Sequence, residues 1–127
     1  MKEVMAVIRM DMVNKTKEAL VLEGFSSMNC RKVLGRGKKK VDFSLIESMI
    51  SGSEIASPIL AENLSEGHRL IPKRLISLVV KEEEVKPVVD VLIRVNSKGK
   101  PGDGKIFVMP VTDAVRVRTG ETGELAI

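Results

Sequence analysis

The stretch Gly99-Lys100-Pro101-Gly102-Asp103-Gly104-Lys105 holds the residue types that handle phosphate. Glycines let backbone N–H groups come close to an anion, and Lys105 adds a mobile positive charge. The spacing satisfies the first seven positions of the phosphate-loop pattern G-x-x-x-x-G-K-[ST], but Ile106 replaces the magnesium-binding hydroxyl and the following residues read as strand. No helix N-terminus then stands behind a phosphate. A flexible hairpin with solvated lysines is the competing reading. Arg116 and Arg118, two apart in an expected strand, would leave one side together, with Val115 and Val117 facing the other way. Paired guanidinium forks suit phosphate oxygens; a solvated edge-strand face is the alternative. A second glycine turn, Gly35-Arg36-Gly37-Lys38, has the same potential, set against an ordinary turn with a solvated charge run.

Other chemistry is thin. His68 lies in a polar stretch without a cysteine neighbour and reads as a solvated loop histidine. Cys30, the single cysteine, cannot close an intrachain disulfide and reads as a small core or sheet residue. No Ser-His-Asp arrangement, acidic pair or zinc ligand set is recognisable, so neither a catalytic residue nor a protein-held metal is assigned.

The elements that must position the glycine turns are short. The chain has 127 residues, 43% of them apolar and 30% charged, which suits one folded domain spanning 1–127. The absence of a long apolar run predicts no membrane span, and the cysteine usage fits a cytoplasmic protein. A net charge of +4 favours an anionic partner. With no Trp or Tyr and three Phe to stack on bases, a nucleotide or small anion fits better than nucleic acid.

Val4–Arg9 reads as a strand buried on both faces, because its apolar run does not alternate. A helix capped by Asp11 or Asn14 follows to Leu22, with Val13, Thr16 and Leu20 on one face and Gly24 as its stop. Ser27–Leu34 resumes an extended course. Residues 38–70, with six serines and no sustained period, read as one long loop, and a loop of that length inside a compact domain is usually functional or disordered. Ile76–Val80 is a strand, and Glu82, Glu83 and Glu84 open a helix buried through Val85, Val88, Val89 and Leu92. Pro87 is tolerable only in its first turn. Ile106–Met109 is the next strand. Two such β-α-β units predict an α+β, ferredoxin-like fold with helices on one face of an antiparallel sheet. Its other face needs a cover that no third helix supplies, which predicts a homo-oligomer packed sheet against sheet.

The run GKPGDGKIFVMPVTDAVRVRTGETGELAI, together with the Gly35-x-Gly37 turn and Ile71-Pro72-Lys73, resembles the anchor segments of the PII-type nitrogen-regulatory signal proteins, GlnB-like. The resemblance covers everything except the middle of the long loop. It implies a trimer with ATP or ADP in each cleft between neighbours. By position, Gly102, Asp103, Gly104 and Lys105 would hold the phosphates with Arg116 and Arg118. Asn29, Gly35, Arg36, Gly37 and Val79 would line the nucleoside side. Lys73 would approach the terminal phosphate and a second effector, 2-oxoglutarate, which in the family binds beside Mg-ATP and moves the large T-loop.

Lys38 and Lys39 replace the common Arg-Gln pair, whose Gln amide normally helps hold magnesium and 2-oxoglutarate; a lysine can still pair with a dicarboxylate. The lack of tyrosine rules out tyrosine uridylylation. The long loop and VLGRGKKKV are similar to the subgroup that accompanies nitrogenase, in which two paralogues act together on the dinitrogenase component. The resemblance therefore implies post-translational control of nitrogen fixation, by a homotrimer or a hetero-oligomer with a paralogue, with glutamine synthetase or an ammonium transporter as the alternative target. Two other classes are weaker. An ATPase would need a water-activating base and a hydroxyl on magnesium, and an RNA reader would need exposed strand aromatics that Val4–Arg9 and Ile76–Val80 lack.

Overall fold

The computed structural model describes residues 1–37 and 70–127. The order is β1 (Lys2–Arg9), α1 (Val13–Leu22), β2 (Asn29–Gly35), β3 (Ile71–Val80), α2 (Val85–Asn96) and β4 (Lys105–Pro110). The four strands form one antiparallel sheet in the order β2-β3-β1-β4. This is the ferredoxin-like double β-α-β arrangement that the residue pattern predicts. The loop predicted over 38–70 lies, apart from Leu70, outside the described residues, as do Lys38, Lys39 and His68.

Strand pairing sorts the side chains into two faces. Val4, Ala6 and Ile8 of β1 stand opposite Leu78, Ile76 and Arg74 of β3, and the apolar members are buried beneath the helices with Leu20, Val88, Val91 and Leu92. Met5 and Val7 point the other way, opposite Ser77 and Leu75, and are only half-buried. The expectation that β1 is buried on both faces is thus corrected. An unbroken apolar run does not reveal that both helices lie on one side.

Local chemistry explains the helices. A short 3-10 turn, Met10–Met12, leads into α1, and neither Asp11 nor Asn14 caps it. Gly24, at φ +93°, ends it as expected, with the Phe25 N–H donating to the Leu20 carbonyl at 2.8 Å. The Glu84 carboxylate accepts the Lys81 N–H at 2.9 Å ahead of α2, and Pro87 falls in the first turn of that helix. Between the helices, the buried Asn96 amide donates to Thr16 Oγ1 at 3.1 Å and to the Leu92 carbonyl at 3.0 Å, so this buried polar pair is satisfied.

Most strand ends fall within two residues of expectation, and two stretches differ by more. Strand β3 begins five residues earlier than Ile76, because Lys73 and Arg74 pair with β1 while Pro72 lies beyond its end and faces only Leu34 of β2. The strand expected at Val115–Arg118 is a single bridge, Val115 to Thr122, followed by a turn. Gly120 and Gly123, at φ +72° and +68°, bring the chain back too soon for a ladder to form.

Helix α1 offers a direct contrast between burial and exposure. Leu20 is 0% exposed and Leu22 is 87% exposed. Leu20→Ala is expected to cost about 2–5 kcal/mol in urea unfolding, and Leu22→Ala less than about 0.5 kcal/mol.

Candidate anion-binding site

The strand registers carry three separate glycine or lysine segments to one end of the sheet. Gly35 closes β2 opposite Ile71, Lys73 stands opposite Arg9 at the end of β1, and Lys105 opens β4 opposite Val7. Gly35 and Lys105 are on the outer strands, three strand spacings apart across the sheet and, with Gly35 level with Ile71 and Lys105 with Leu75, four residues apart along it, about 20 Å in all, with Arg9 and Lys73 between them. Arg36 and Gly37 continue outward from β2 and are exposed.

Two cations from the central strands grip the turn that precedes β4. Lys73 Nζ donates to the Gly102 carbonyl at 3.0 Å. Arg9 Nη1 donates to Asp103 Oδ1 at 2.6 Å, and Arg9 Nη2 reaches the Pro101 carbonyl at 3.4 Å. The other Asp103 oxygen, Oδ2, accepts the backbone N–H groups of Lys98, Gly99 and Lys100 at 2.8, 2.9 and 3.4 Å. Asp103 therefore faces into its own turn and organises it. Gly104 holds φ +116°, and a Cβ there would collide with the Val7 carbonyl oxygen, so only glycine lets the turn press against β1.

The chemistry of this end is electropositive and backbone-rich. Lys105 is exposed beside the glycines, and Lys73 is half-buried. On the helix side, a groove of about 230 Å³ runs between the end of α2 and β4, lined by Leu92, Ile93, Ser97, Gly104, Lys105 and Ile106 among others. Among the described residues, no three His, Cys, Asp or Glu side chains are placed to hold a metal ion, and no helix is long and apolar enough to cross a membrane.

The remaining candidates lie elsewhere in the single chain. Asn29 and Val79 share the open sheet face, six positions along β2 and β3 from Gly35 and Lys73, a run of about 20 Å. Arg116 and Arg118 follow the far end of β4. They are not a same-side strand pair: Arg116 donates to Glu121 Oε2 at 2.9 Å and to the Leu125 carbonyl at 3.0 Å, while Arg118 is exposed in the turn. Arg9 is the participant that residue patterns missed. Its partner is 94 positions away, and its only local signal is a charge that ends an apolar strand.

The Arg9 guanidinium, followed by the Lys98 N–H, holds the Asp103 carboxyl down from 3.8 to about 2, against an opposing effect of desolvation. A carboxyl depressed in the folded state stabilises the fold above its unfolded value and loses that contribution as pH falls through the folded one. The melting-temperature gap between wild type and Asp103→Asn is therefore expected to be constant above about pH 4 and to shrink towards pH 2. A gap that does not change over that range would show that the carboxylate is not anchored as described.

Comparison with known proteins identifies relatives along nearly the whole chain. The profile of the family described as "Nitrogen regulatory protein P-II" matches residues 1–121. The chain is 47% identical over 128 residues to "Nitrogen fixation nifHD region GlnB-like protein 2" of Methanobacterium ivanovii, covering 100% of this chain and 99% of that one. It is 47% identical over 129 residues to the protein of the same description from Methanothermococcus thermolithotrophicus, covering 100% and 98%. A "Nitrogen regulatory protein P-II" of Cereibacter sphaeroides is 32% identical over 127 residues, covering 100% of both chains. Fold, glycine segments and full-length similarity lead to one assignment: the chain belongs to the nitrogen regulatory protein P-II family.

Proposed function

We propose that the chain is a nitrogen-status sensor that binds ATP or ADP between neighbouring copies and controls nitrogen fixation by contact with a target. The observation that carries the reading is the gathering of Gly35–Gly37, Lys73 and Gly102–Lys105 at one sheet end, while Asn29, Val79, Arg116 and Arg118 are held apart from them. One copy does not close all of these around a single nucleotide. A site shared between copies is the arrangement that uses them all.

The open sheet face supports the same reading. Met5, Val7, Leu75, Phe107 and Met109 share it by register, and Phe107 is 49% exposed. Burying such a face on neighbouring copies favours assembly at about 25 cal/mol per Å² of apolar surface. A homotrimer, or a hetero-oligomer with a paralogue of similar face, would cover it.

The residues fit a nucleotide. Gly102 and Gly104 hold φ +99° and +116° and keep side chains away from the chain's approach to an anion, and Lys105 supplies exposed charge. Asp103 positions the turn from within, and Arg118 extends a fork that a neighbouring copy's phosphates would meet. A magnesium ion would enter with the triphosphate, which supplies its oxygen ligands. 2-Oxoglutarate would bind beside it, near Lys73, Lys38 and Lys39. Occupancy then biases the long loop, residues 38–70, and a few kcal/mol of differential binding suffices to switch most of the population. The chain's own chemistry is recognition, with no catalytic step assigned.

The target class follows the relatives. The chain is 47% identical to proteins named for the nifHD region and 32% identical to a general P-II protein, which favours a nitrogenase component over glutamine synthetase or an ammonium transporter. Docking of the long loop on dinitrogenase, relieved by ATP with 2-oxoglutarate, is the proposed control step. A cytoplasmic location fits that target.

Lys105→Ala and Arg118→Ala are each expected to weaken ATP binding about tenfold or more in calorimetry, as losing a charge-assisted hydrogen bond does. Oligomers mixed from the two variants should regain some intact sites if the two residues act across a seam; unchanged affinity in both single variants would refute the site. Light scattering should find an oligomer for the wild type and a smaller species for Phe107→Asp. A monomeric wild type would overturn the shared site.

A further inference from the structure

One residue gripping the glycine turn has no part in the reading above. Arg9 ends β1, its side chain is 16% exposed, and its guanidinium bridges two acceptors of the same turn, Asp103 Oδ1 and the Pro101 carbonyl. Asp103, 24% exposed at the side chain, uses its second oxygen to gather the N–H groups of Lys98, Gly99 and Lys100. A partly buried, 2.6 Å ion pair that also organises three backbone donors differs in kind from an exposed pair such as Lys86–Asp90, 84% and 59% exposed.

We infer that Arg9 is a positioning residue for the anion site: acting through Asp103, it sets the course of residues 98–104 and so the aim of Gly102, Gly104 and Lys105, without touching the ligand. Gly104 is pressed against the Val7 carbonyl, two residues before Arg9, so the turn is seated on β1 at one point and tied to it at the next. Without the tie, the carboxylate loses its anchor to the sheet, its hold on the three backbone donors loosens, and the turn can swing about Gly99 and Gly104, both at positive φ. Lys73 holds the Gly102 carbonyl from the neighbouring strand, but a single ammonium does not fix orientation as a fork spanning two acceptors does. The choice of arginine over lysine at position 9 follows from those two acceptors.

The inference rests on the reading of this turn as a nucleotide site, and two measurements separate them. In the full chain without added nucleotide, Arg9→Ala should displace the backbone amide resonances of Lys98, Gly99 and Lys100 and speed their exchange. Resonances left in place would overturn the inference. In ATP calorimetry Arg9→Ala should weaken binding about tenfold, Arg9→Lys should recover part of that loss, and Lys86→Ala should change nothing. In the Asp103→Ala background, Arg9→Ala should add little further loss, because both act through one tie. Losses that multiply instead would show that Arg9 acts on the ligand directly, and would overturn the positioning role. If Arg9→Ala does not fold, Arg9→Lys decides: the same amides should move by a smaller amount, and no movement would refute the inference. Absence of ATP binding in the wild-type chain would remove the functional reading alone, because the amide displacement is read without nucleotide.

Discussion

The pairing of β1 with β3, from Lys2 opposite Val80 to Arg9 opposite Lys73, is the constraint on which the rest depends. It places Val4, Ala6, Ile76 and Leu78 on one face, where both helices bury them, and it ends by setting two cations side by side. A slip of one residue would turn every apolar side chain away from the helices, so the core holds the register and the register positions the cations. Site geometry is in this sense inherited from core packing.

The two sheet faces differ in what covers them. The helix face is closed by Leu20, Val88 and Leu92, with the Thr16–Asn96 pair satisfied between the helices. The opposite face is apolar at its centre, and its cations and glycines gather at one end. That distribution is the one the proposed shared site uses: one face holds the core and the other is left for a neighbouring copy and a ligand. The Arg9–Asp103 tie sits where these two roles meet, anchored in a core strand and holding a turn at the rim.

How much could be read in advance depended on how local each signal was. The stop at Gly24 and the apolar stretch Ile76–Val80 are set by neighbours in the chain and appeared where expected, and the stripe of α2 appeared in part: Val88 and Leu92 are buried, Val85 and Val89 half-buried, and Val91 and Asn96 join the buried side instead. The turn itself was legible too, because closely spaced glycines and a proline mark a tight turn, here with Gly99, Gly102 and Gly104 at positive φ. The early part of β3 was obscured by Pro72, Lys73 and Arg74, whose strand conformation comes from partners on β1 and β2. The Val115–Arg118 stretch alternates like a strand, yet Gly120 and Gly123 turn the chain before a partner can form.

The sequence by itself determined the alternation of elements and which segments carry the glycines and cations, since these follow from composition and spacing along the chain, and its match to known proteins gave the family. Only the tertiary structure decided that Asp103 turns inward, that Arg9 is its anchor, and that Arg116 is tied to Glu121 and Leu125. The physical reason is range. Side-chain periodicity reports a residue's relation to its own helix or strand, whereas a hydrogen bond between positions 9 and 103 exists only once the sheet has brought two distant ends of the chain within about 3 Å.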